Sequence, residues 1–491
     1  MNLLKSYLDS TPPQERSTAA IAYLASLETI AQSCPEAARA ILQELSDQRT
    51  YLKLIASENY SSLAVQLAMG NLLTDKYSEG IPGRRFYAGC DNVDTVEDLA
   101  RTLLCKLFNA DHAYVQPHSG ADANLVAFMA VMTLRGLNPA LGEKKLEELS
   151  AAEFEALRQK TLSLKLMGHG LGSGGHLTHG YRHNISSRLF QPFSYEVDPV
   201  THLLDYDKIA RQAKEVKPDL LIAGYSSYPR RVNFAKMREI ADSVGALFMC
   251  DMAHFAGLVA GKVFTGEFDP IPYAHIVTST THKTLRGPRG GLVICKGELA
   301  ETIDKGCPMV LGGPLPHVVA AKAIAFKEAL SPDYRTYAAK IVKNAHALAE
   351  SLKNEGIELL TGGTDNHLMV LNVSKLGITG RQAEQALREG SMTVNRNAIP
   401  SDPNGAWYTS GVRIGTPALT TLGMGESEMT ELGKILAAHL KGIRPDPSNK
   451  AKYTIDPQLV TQTRTRVESL LSAFPLYPEI AHIDAACVNL V

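Results

Sequence analysis

The sequence has no excess of charge of either sign. Its 491 residues include 50 lysines and arginines and 51 aspartates and glutamates, which gives a formal net charge of −1. Proteins that bind nucleic acids or membrane surfaces usually present a basic patch or stripe. The balance gives no electrostatic support for either kind of partner, and it leaves little charge repulsion to oppose self-association.

Long apolar runs and paired cysteines are also missing. No stretch approaches the roughly 20 apolar residues that span a bilayer, and Met1–Ser17, with Pro12 and Pro13, does not have the pattern of a signal peptide. The seven cysteines form no C-x-x-C pair, and several lie in apolar runs such as Ala246–Cys250. These features predict a cytoplasmic protein with buried, reduced thiols and no zinc site.

The alternation of apolar runs with helical patterns predicts an α/β fold. With 491 residues, 45% of them hydrophobic and 21% charged, the chain has ordinary globular composition and exceeds the length of one compact core. The predicted strands are Ala113–Val115, Leu220–Ala223, Ala246–Cys250, Ile276–Thr278 and Leu292–Cys295. Helical stretches between them favour a mostly parallel sheet, whose ligands bind beyond the carboxyl ends of the strands.

The pattern of predicted helices and strands along the chain suggests three parts: an N-terminal helical arm (1–60), a large α/β domain (61–330) and a smaller α+β C-terminal domain (331–491). Within the large domain, Arg135–Leu171 is expected to be an inserted surface region with a charged helix over Glu143–Lys165. A further helix is expected to begin with Asp94 and Glu97 as a capping box. In the C-terminal part, Arg444–Lys452 is expected to be a polar linker.

The segment TSTTHKTLRGPRGG places one lysine, Lys283, after a predicted strand. An isolated lysine is usually a solvated surface residue, but this one lies among hydroxyls, glycines and cations. Schiff-base chemistry needs an amine whose pKa is lowered by burial and by neighbouring cations. His282, Arg286 and Arg289 could supply that charge and could also contact a phosphate.

A second apolar strand ends in Asp251, which His254 follows three residues later. Such a carboxylate could simply cap a turn. It could also keep the ring nitrogen of a pyridoxal cofactor protonated, so that the ring acts as an electron sink. Two chemically suited side chains, Asp251 and, 32 positions later, Lys283, each after a predicted strand, are a stronger signal than either alone.

Three further segments carry weaker signals. QPHSGADAN offers Ser119 and Gly120 at a helix start, which suits a phosphate cradle but is equally typical of a turn. GGHLTHG holds two histidines that could ligate a metal, but no third ligand of suitable spacing accompanies them, so His176 is instead expected to lie flat on a pyridine ring. TSGVRIGTPA contains Arg413, which suits bidentate capture of a carboxylate or is a surface arginine.

With these segments assembled, the sequence resembles the serine hydroxymethyltransferase family of fold-type I pyridoxal-phosphate enzymes. The matching stretches lie between Leu54 and Thr421 and read LIASENYSS, TDKYSEG, RFYAGC, QPHSGADAN, SGGHLTHG, KMREIADSVGALFMCDMAHFAGLVA, THKTLRGPRGGL, GGTDNHL, NRNAIPSDP and TSGVRIGTPA. The resemblance implies two domains: a large domain built on a mostly parallel sheet of seven strands, and a smaller α+β domain.

The resemblance also implies a role for each matching residue. The implied catalytic set is Lys283, Glu79, His176, Asp251 and Thr280. Pyridoxal phosphate would contact Ser119, Gly120, His176, Ser226, Asp251, His254, His282, Lys283, Tyr77 and, from a neighbouring subunit, Gly313. The substrate would contact Ser57, Tyr77, Glu79, Tyr87 and Arg413, and the folate would contact Glu79, Leu171, Gly175, Leu177 and Asn397. Tyr77 is expected to act across a homodimer.

The implied reaction interconverts serine plus tetrahydrofolate with glycine plus 5,10-methylenetetrahydrofolate. The sequence departs from the family pattern at Ala121, Phe86 and Met309–Leu311 and in the length of the 135–171 region. A folate-independent 3-hydroxy amino acid aldolase and an alanine or serine racemase use the same kind of site. A non-catalytic binding protein is a third alternative, which is disfavoured by the joint presence of Lys283, Asp251, His176, Arg413 and Glu79.

Overall fold

The computed structural model describes residues 3–481 and 483, and it begins with three helices: Leu3–Ser10, Thr18–Ser33 and Pro35–Thr50. The Ser17 hydroxyl accepts a hydrogen bond from the N–H of Ala20 and so caps the second helix. Apolar side chains of all three helices pack with Leu63, Ile480 and Ile483. The two ends of the described chain therefore share one small core.

A seven-stranded sheet forms the centre of the large α/β part. Its strands are β1 (His112–Tyr114), β2 (Lys165–His169), β3 (Gln191–Tyr195), β4 (Leu220–Gly224), β5 (Leu247–Asp251), β6 (Ile276–Thr280) and β7 (Gly291–Cys295). They lie in the order β1-β7-β6-β5-β4-β2-β3. β7 runs antiparallel to both β1 and β6, whereas the other neighbours are parallel. This confirms the predicted fold class.

The strands in the middle of the sheet are buried on both faces. All residues of β4, β5, β6 and β7 are buried. Along β5, Phe248 and Cys250 belong to the core on one face, and Leu247 and Met249 to the core on the other. Strands covered on both sides have continuous apolar sequences, which is why these strands could be predicted.

Helices cover both faces of this sheet. The longer ones are Asp91–Phe108, Gly120–Met132, Ala151–Leu162, Tyr206–Val216, Phe234–Ser243 and Pro316–Ala329, and the shorter ones are Leu63–Leu67, Asn138–Leu141, Ser186–Leu189, Ala256–Ala260, Ala300–Asp304 and Gly306–Met309. The predicted capping box is wrong. The first long helix begins at Asp91, and Asp94 and Glu97 instead bind Arg85, at 2.8 Å and 2.7 Å. Because the N-cap residue is Cys90, Asp94 and Glu97 lie within the helix and do not cap its start.

The C-terminal part is built on a smaller antiparallel sheet. Its strands are β8 (Leu368–Asn372), β9 (Asn395–Asn397) and β10 (Gly411–Gly415), in the order β8-β10-β9. The helices are Pro332–Asn354, Gly380–Glu389, Gly405–Tyr408, Pro417–Leu422, Glu426–Lys441 and Pro457–Ala473. Leu52–Lys53 pairs in parallel with Met392–Thr393, so the end of the N-terminal arm joins this part of the molecule.

Two other sequence predictions need correction. The helix expected over Glu143–Lys165 is shorter, Ala151–Leu162, and Lys165–His169 is strand β2, which pairs with β3 on one side and β4 on the other. The surface region expected at 135–171 therefore cannot include residues 165–169. The linker expected at Arg444–Lys452 is a hairpin of β11 (Arg444–Asp446) and β12 (Asn449–Thr454).

None of the helices among the described residues combines the length and the apolar character that a membrane span requires. Cys34, Cys90, Cys105, Cys250, Cys295 and Cys307 are free thiols. Cys34 is exposed, which corrects the expectation that the cysteines are buried, and Cys487 lies outside the described residues.

Candidate active site

A cavity of ≈ 690 Å³ opens at the carboxyl ends of the strands of the large sheet. Parallel strands deliver the residues that follow them to one edge, so segments far apart in sequence meet there. Side chains from β9 and β10 close the other side. The cavity is lined by most of the predicted site residues: Ser57, Ser119, Gly120, Leu171, Gly175, His176, Leu177, Ser226, Asp251, His254, Thr280, His282, Lys283, Asn397 and Arg413.

Lys283 lies deep in the protein, where its side chain is partly exposed to the cavity. Burial lowers its pKa to about 8, and the charges of Arg413 and Arg289 act in the same direction, whereas Asp251 opposes them. Its backbone carbonyl accepts a hydrogen bond from Asn59 Nδ2 at 3.0 Å. An amine with this pKa has a substantial neutral, nucleophilic fraction near neutral pH.

Asp251 ends β5 inside a cluster of hydrogen-bond donors. Asn124 Nδ2 donates to Oδ2 at 2.9 Å, His179 Nε2 lies 3.2 Å from the same oxygen, and the Ala253 N–H donates to Oδ1 at 3.1 Å. Burial opposes ionisation of Asp251. The hydrogen bond and charge of His179, together with His176 and Asn124, nevertheless hold its pKa well below its usual range. The carboxylate is therefore ionised at neutral pH.

His176 is neutral at neutral pH. Burial lowers its pKa to about 4, and the charges of His179, Lys283 and Arg413 add to that effect against Asp251. Its Nδ1 is 2.8 Å from Thr178 Oγ1, which fixes the ring. A neutral, oriented imidazole is suited to stacking on a flat aromatic ring.

The sequence argument that no third metal ligand accompanies the two histidines does not hold in the structure. His176, His179 and Asp251 offer ligand atoms within 4.8 Å of one another. However, His176 Nδ1 is engaged with Thr178, and His179 Nε2 is engaged with Asp251. His179 is bonded directly to Asp251, and His176 is connected to Asp251 only through Thr178 and Asn124. The prediction that the site holds no metal stays a prediction.

The predicted phosphate cradle lies at the start of the helix Gly120–Met132. The Ser119 hydroxyl caps this helix by accepting from the Asp122 N–H at 3.1 Å. A Cβ on Gly120 would lie 2.6 Å from Thr280 Cγ2, so glycine is required where the helix meets β6. Free N–H groups and the positive end of the dipole at a helix start favour an anion.

Arg413 is a buried cation in the middle of β10. Its Nε donates to Asn395 Oδ1 at 3.1 Å, and its Nη1 donates to the Ser226 carbonyl at 2.6 Å. Burial lowers its pKa to about 10, which leaves it charged at neutral pH. The prediction that it faces a ligand site is consistent with this position, whereas the alternative of a surface arginine is not.

Tyr77, Glu79, Tyr87 and Gly313 are predicted site residues that do not line this cavity. They form a separate group, which we call the Glu79 cluster. The hydroxyls of Tyr77 and Tyr87 donate to Glu79 at 3.3 Å and 3.4 Å, and the two rings meet edge to face at 4.8 Å. A Cβ on Gly313 would lie 3.2 Å from the Tyr77 ring. Tyr77 is 53% exposed and Tyr87 44%, so the cluster lies on the surface of the chain.

Comparisons with known proteins identify the family of this chain. A family model described as serine hydroxymethyltransferase matches residues 30–141 and 150–436. The chain belongs to the serine hydroxymethyltransferase family. Its relatives include proteins of that name from Salinispora tropica (57% identical over 467 residues, 94% of this chain and 98% of the relative), Treponema pallidum (55% over 485 residues, 97% and 84%) and Chlamydia trachomatis (53% over 489 residues, 98% and 98%).

The family uses pyridoxal phosphate, and the residues of the cavity fit this cofactor. Ser226 Oγ and His282 Nδ1 have no hydrogen-bond partner within the part of the chain that the structure describes. Buried polar atoms are normally satisfied, so these two indicate a polar ligand. The helix start at Ser119 suits its phosphate, and the lowered pKa of Lys283 suits its aldehyde.

Several residues of the site were missed by sequence reasoning. Asn124 and His179 hold Asp251, and Asn59 holds the Lys283 backbone. All three lie inside the segments that carry the family resemblance, so membership of those segments was a usable signal. Their partners lie far away along the chain, and no spacing rule identifies such contacts.

Proposed function

We propose that the protein catalyses the reversible transfer of a hydroxymethyl group between serine and tetrahydrofolate, giving glycine and 5,10-methylenetetrahydrofolate. One observation carries the proposal: Lys283, ionised Asp251 and Arg413 line a single cavity. An amine, an anion and a guanidinium are the groups that an amino acid bound through pyridoxal phosphate requires. Family membership favours the transfer reaction over aldolase or racemase activity, which would use the same groups.

Pyridoxal phosphate would be held by groups at each end of its ring. Lys283 would bind the aldehyde, and Ser119, Gly120 and His282 the phosphate. Asp251 would keep a proton on the ring nitrogen, because its carboxylate is held ionised. His176 would cover one face of the ring, and Ser226 and His254 would lie near the phenolic oxygen. When bound, the cofactor supplies an electron sink for the bond that breaks at the substrate's α-carbon.

The amino-acid substrate would be oriented by Arg413 and Ser57, which bind its carboxylate. The charge-assisted, bidentate geometry of a guanidinium fixes both the position and the rotation of a carboxylate. Thr280, at the end of β6, completes the catalytic group beside Lys283. Leu171, Gly175, Leu177 and Asn397 would line the pterin site at the mouth of the same cavity.

The Glu79 cluster is proposed to work in the cavity of a second copy of the chain. Glu79 would exchange the proton of the substrate hydroxyl and contact the folate, with Tyr87 at the substrate carboxylate. Tyr77 and Gly313 would approach the phosphate. Surface exposure of this cluster and its separation from the lining of the Lys283 cavity support a homodimer with shared sites.

We also propose that the chain divides into three parts: an arm (1–60), a large domain (61–330) and a small domain (331–491). Residues 52–53 of the arm pair with a strand of the small domain. A cytoplasmic location is proposed as well. The free thiols of the six described cysteines are compatible with a reducing compartment.

The experiment that tests the function is an absorbance titration of the purified protein. Pyridoxal phosphate should produce a visible band, and glycine together with tetrahydrofolate should add a band at longer wavelength that neither ligand gives alone. A visible band without a response to folate would contradict hydroxymethyl transfer and favour the aldolase or racemase alternatives.

Lys283→Ala and Lys327→Met form a matched pair for this titration. Lys327 is an exposed lysine on the helix Pro316–Ala329. Lys327→Met should keep the visible band and Lys283→Ala should lose it. Retention of the band in Lys283→Ala would show that another amine binds the aldehyde. If Lys283→Ala lost the band but the protein kept its function, the alternative of a non-catalytic binding protein would be supported.

A further inference from the structure

Lys322 is a fully buried lysine outside the predicted site. It lies on the helix Pro316–Ala329 with 1% of its surface exposed. Its Nζ donates three hydrogen bonds to backbone carbonyls: to Val115 at 2.6 Å, to Pro117 at 2.9 Å and to Gly291 at 2.9 Å. All three protons of the ammonium group are therefore used by carbonyl oxygens.

The three carbonyls belong to segments that form the phosphate cradle. Val115 directly follows β1, Pro117 is two residues before Ser119, and Gly291 begins β7. The Gly291 N–H also donates to the Pro117 carbonyl at 2.9 Å. A Cβ on Gly291 would collide with the Ser119 carbonyl. Lys322 thus fixes the two segments that bring Ser119 and Gly120 against the end of the sheet.

The charge of Lys322 is not neutralised by a direct ion pair within the described residues. Burial lowers its pKa to about 7, while the more distant charges of Glu97 and Asp122 raise it. Burial lowers the pKa of His282, a predicted phosphate contact, to about 3; the charges of Arg289 and Lys283 and, as a smaller contribution, that of Lys322 act in the same direction. A buried cation is costly without a nearby anion, so with a pKa of about 7 this amine is only partly protonated at neutral pH, and a phosphate in the cradle would favour its charged form.

We propose that Lys322 is a positioning residue for the cofactor phosphate: it holds the cradle through three carbonyls and supplies a buried positive charge beneath it. The inference rests on the proposed use of pyridoxal phosphate. It assigns Lys322 to the phosphate end of the site. In this position Lys322 does not need to contact the cofactor ring.

The test measures binding of pyridoxal phosphate and of pyridoxal, which lacks the phosphate, to cofactor-free protein. Both aldehydes can react with Lys283. The difference between the losses of affinity that a variant causes for the two ligands therefore isolates the contribution of the phosphate. Lys322→Met should weaken pyridoxal phosphate about tenfold or more and pyridoxal less than about threefold, since the lost charge acts on the phosphate. Lys327→Met, on the exposed side of the same helix, should change neither.

Loss of all three hydrogen bonds could prevent Lys322→Met from folding. Lys322→Gln provides a second variant for that case, because its amide removes the charge but can still donate to the carbonyls. It should show the same selective loss for pyridoxal phosphate. Equal weakening of both ligands in the soluble variants, or no weakening, would overturn the assignment. Failure of the unmodified protein to bind pyridoxal phosphate would instead refute the proposed function, so the two failures are distinguishable.

Discussion

The Lys283 cavity and the Glu79 cluster both hold ionisable groups, but in opposite surroundings. In the cavity, burial and neighbouring charges shift the pKa values of Lys283, His176 and Asp251. In the cluster, the rings of Tyr77 and Tyr87 are about half exposed to solvent. The difference indicates that one chain prepares a cofactor site but presents its proposed proton-transfer group on the outside, where a second copy can enclose it.

The largest effect is expected from two substitutions, one in the Lys283 cavity and one in the Glu79 cluster. Lys283→Ala and Glu79→Gln should each lower kcat/KM by at least about a thousandfold, because one removes the amine and the other the proton-transfer group. Co-expressed with different affinity tags, the two variants should regain about a quarter of the unmodified activity, since half of the dimers are mixed and each mixed dimer has one intact site.

Mixed dimers purified through both tags provide the control for that prediction, because they should hold half of the unmodified activity per dimer. If mixed dimers stayed as inactive as the parent variants, Glu79 would act on the cofactor of its own chain, and the separation of the two regions would lose its functional meaning.

Arg413→Lys is expected to have the next largest effect. A lysine keeps the charge but cannot form the bidentate contact or the hydrogen bonds to Asn395 and the Ser226 carbonyl. KM for serine should rise about a hundredfold with a smaller change in kcat. Steady-state kinetics would measure this, with the exposed Arg335→Lys as a control. An equal fall in kcat without a change in KM would contradict a carboxylate-binding role.

The pH dependence of cofactor uptake should reveal the pKa of Lys283. Its pKa is lowered to about 8, so the neutral, reactive fraction of the amine is about one tenth at pH 7, falls further at lower pH and is nearly complete above pH 9. The rate of uptake of pyridoxal phosphate by cofactor-free protein should therefore rise up to about tenfold per pH unit below pH 8 and level off above it. Stopped-flow absorbance would show this, and a rate that kept rising to pH 10 would indicate an ordinary lysine.

Tyr87→Phe should give the smallest effect. It removes a hydroxyl that donates to Glu79 and leaves the ring packed against Tyr77. One hydrogen bond of this kind corresponds to a change of about threefold in kcat/KM. The affinity for pyridoxal phosphate, measured by titration, should stay unchanged. A large loss of cofactor affinity would show that Tyr87 contacts the cofactor, in contradiction to its proposed place at the substrate.

The sequence predicted β1 and β4 to β7 but not β2 and β3, which lie beyond β4 in the sheet. β3 begins QPFSY, with a proline that only an edge position tolerates, and β2 contains a glycine and two polar residues. Neither has a continuous apolar run. The polar hairpin of β11 and β12 was missed for the same reason, since its residues are mostly exposed.

Within the site, strand ends and family segments located Lys283, Asp251, Ser119 and Arg413 correctly in one cavity. Residues that act through tertiary hydrogen bonds, such as Asn124 and Lys322, were not found, because their partners lie on other strands and loops. The surface position of Glu79 was not predicted either. A motif gives the identity of a side chain but not whether its own chain or another copy encloses it.

The antiparallel strand β7 has a consequence for the way the chain is made. It separates β1 from the rest of the sheet and pairs Cys295 with His112. During synthesis, β1 must therefore remain without its sheet partner until the ribosome has released residues 291–295. Contacts of such long sequence separation slow folding and expose unpaired strands. Nascent chains that stop before β7 should accordingly depend on chaperones, whereas chains that include it should not.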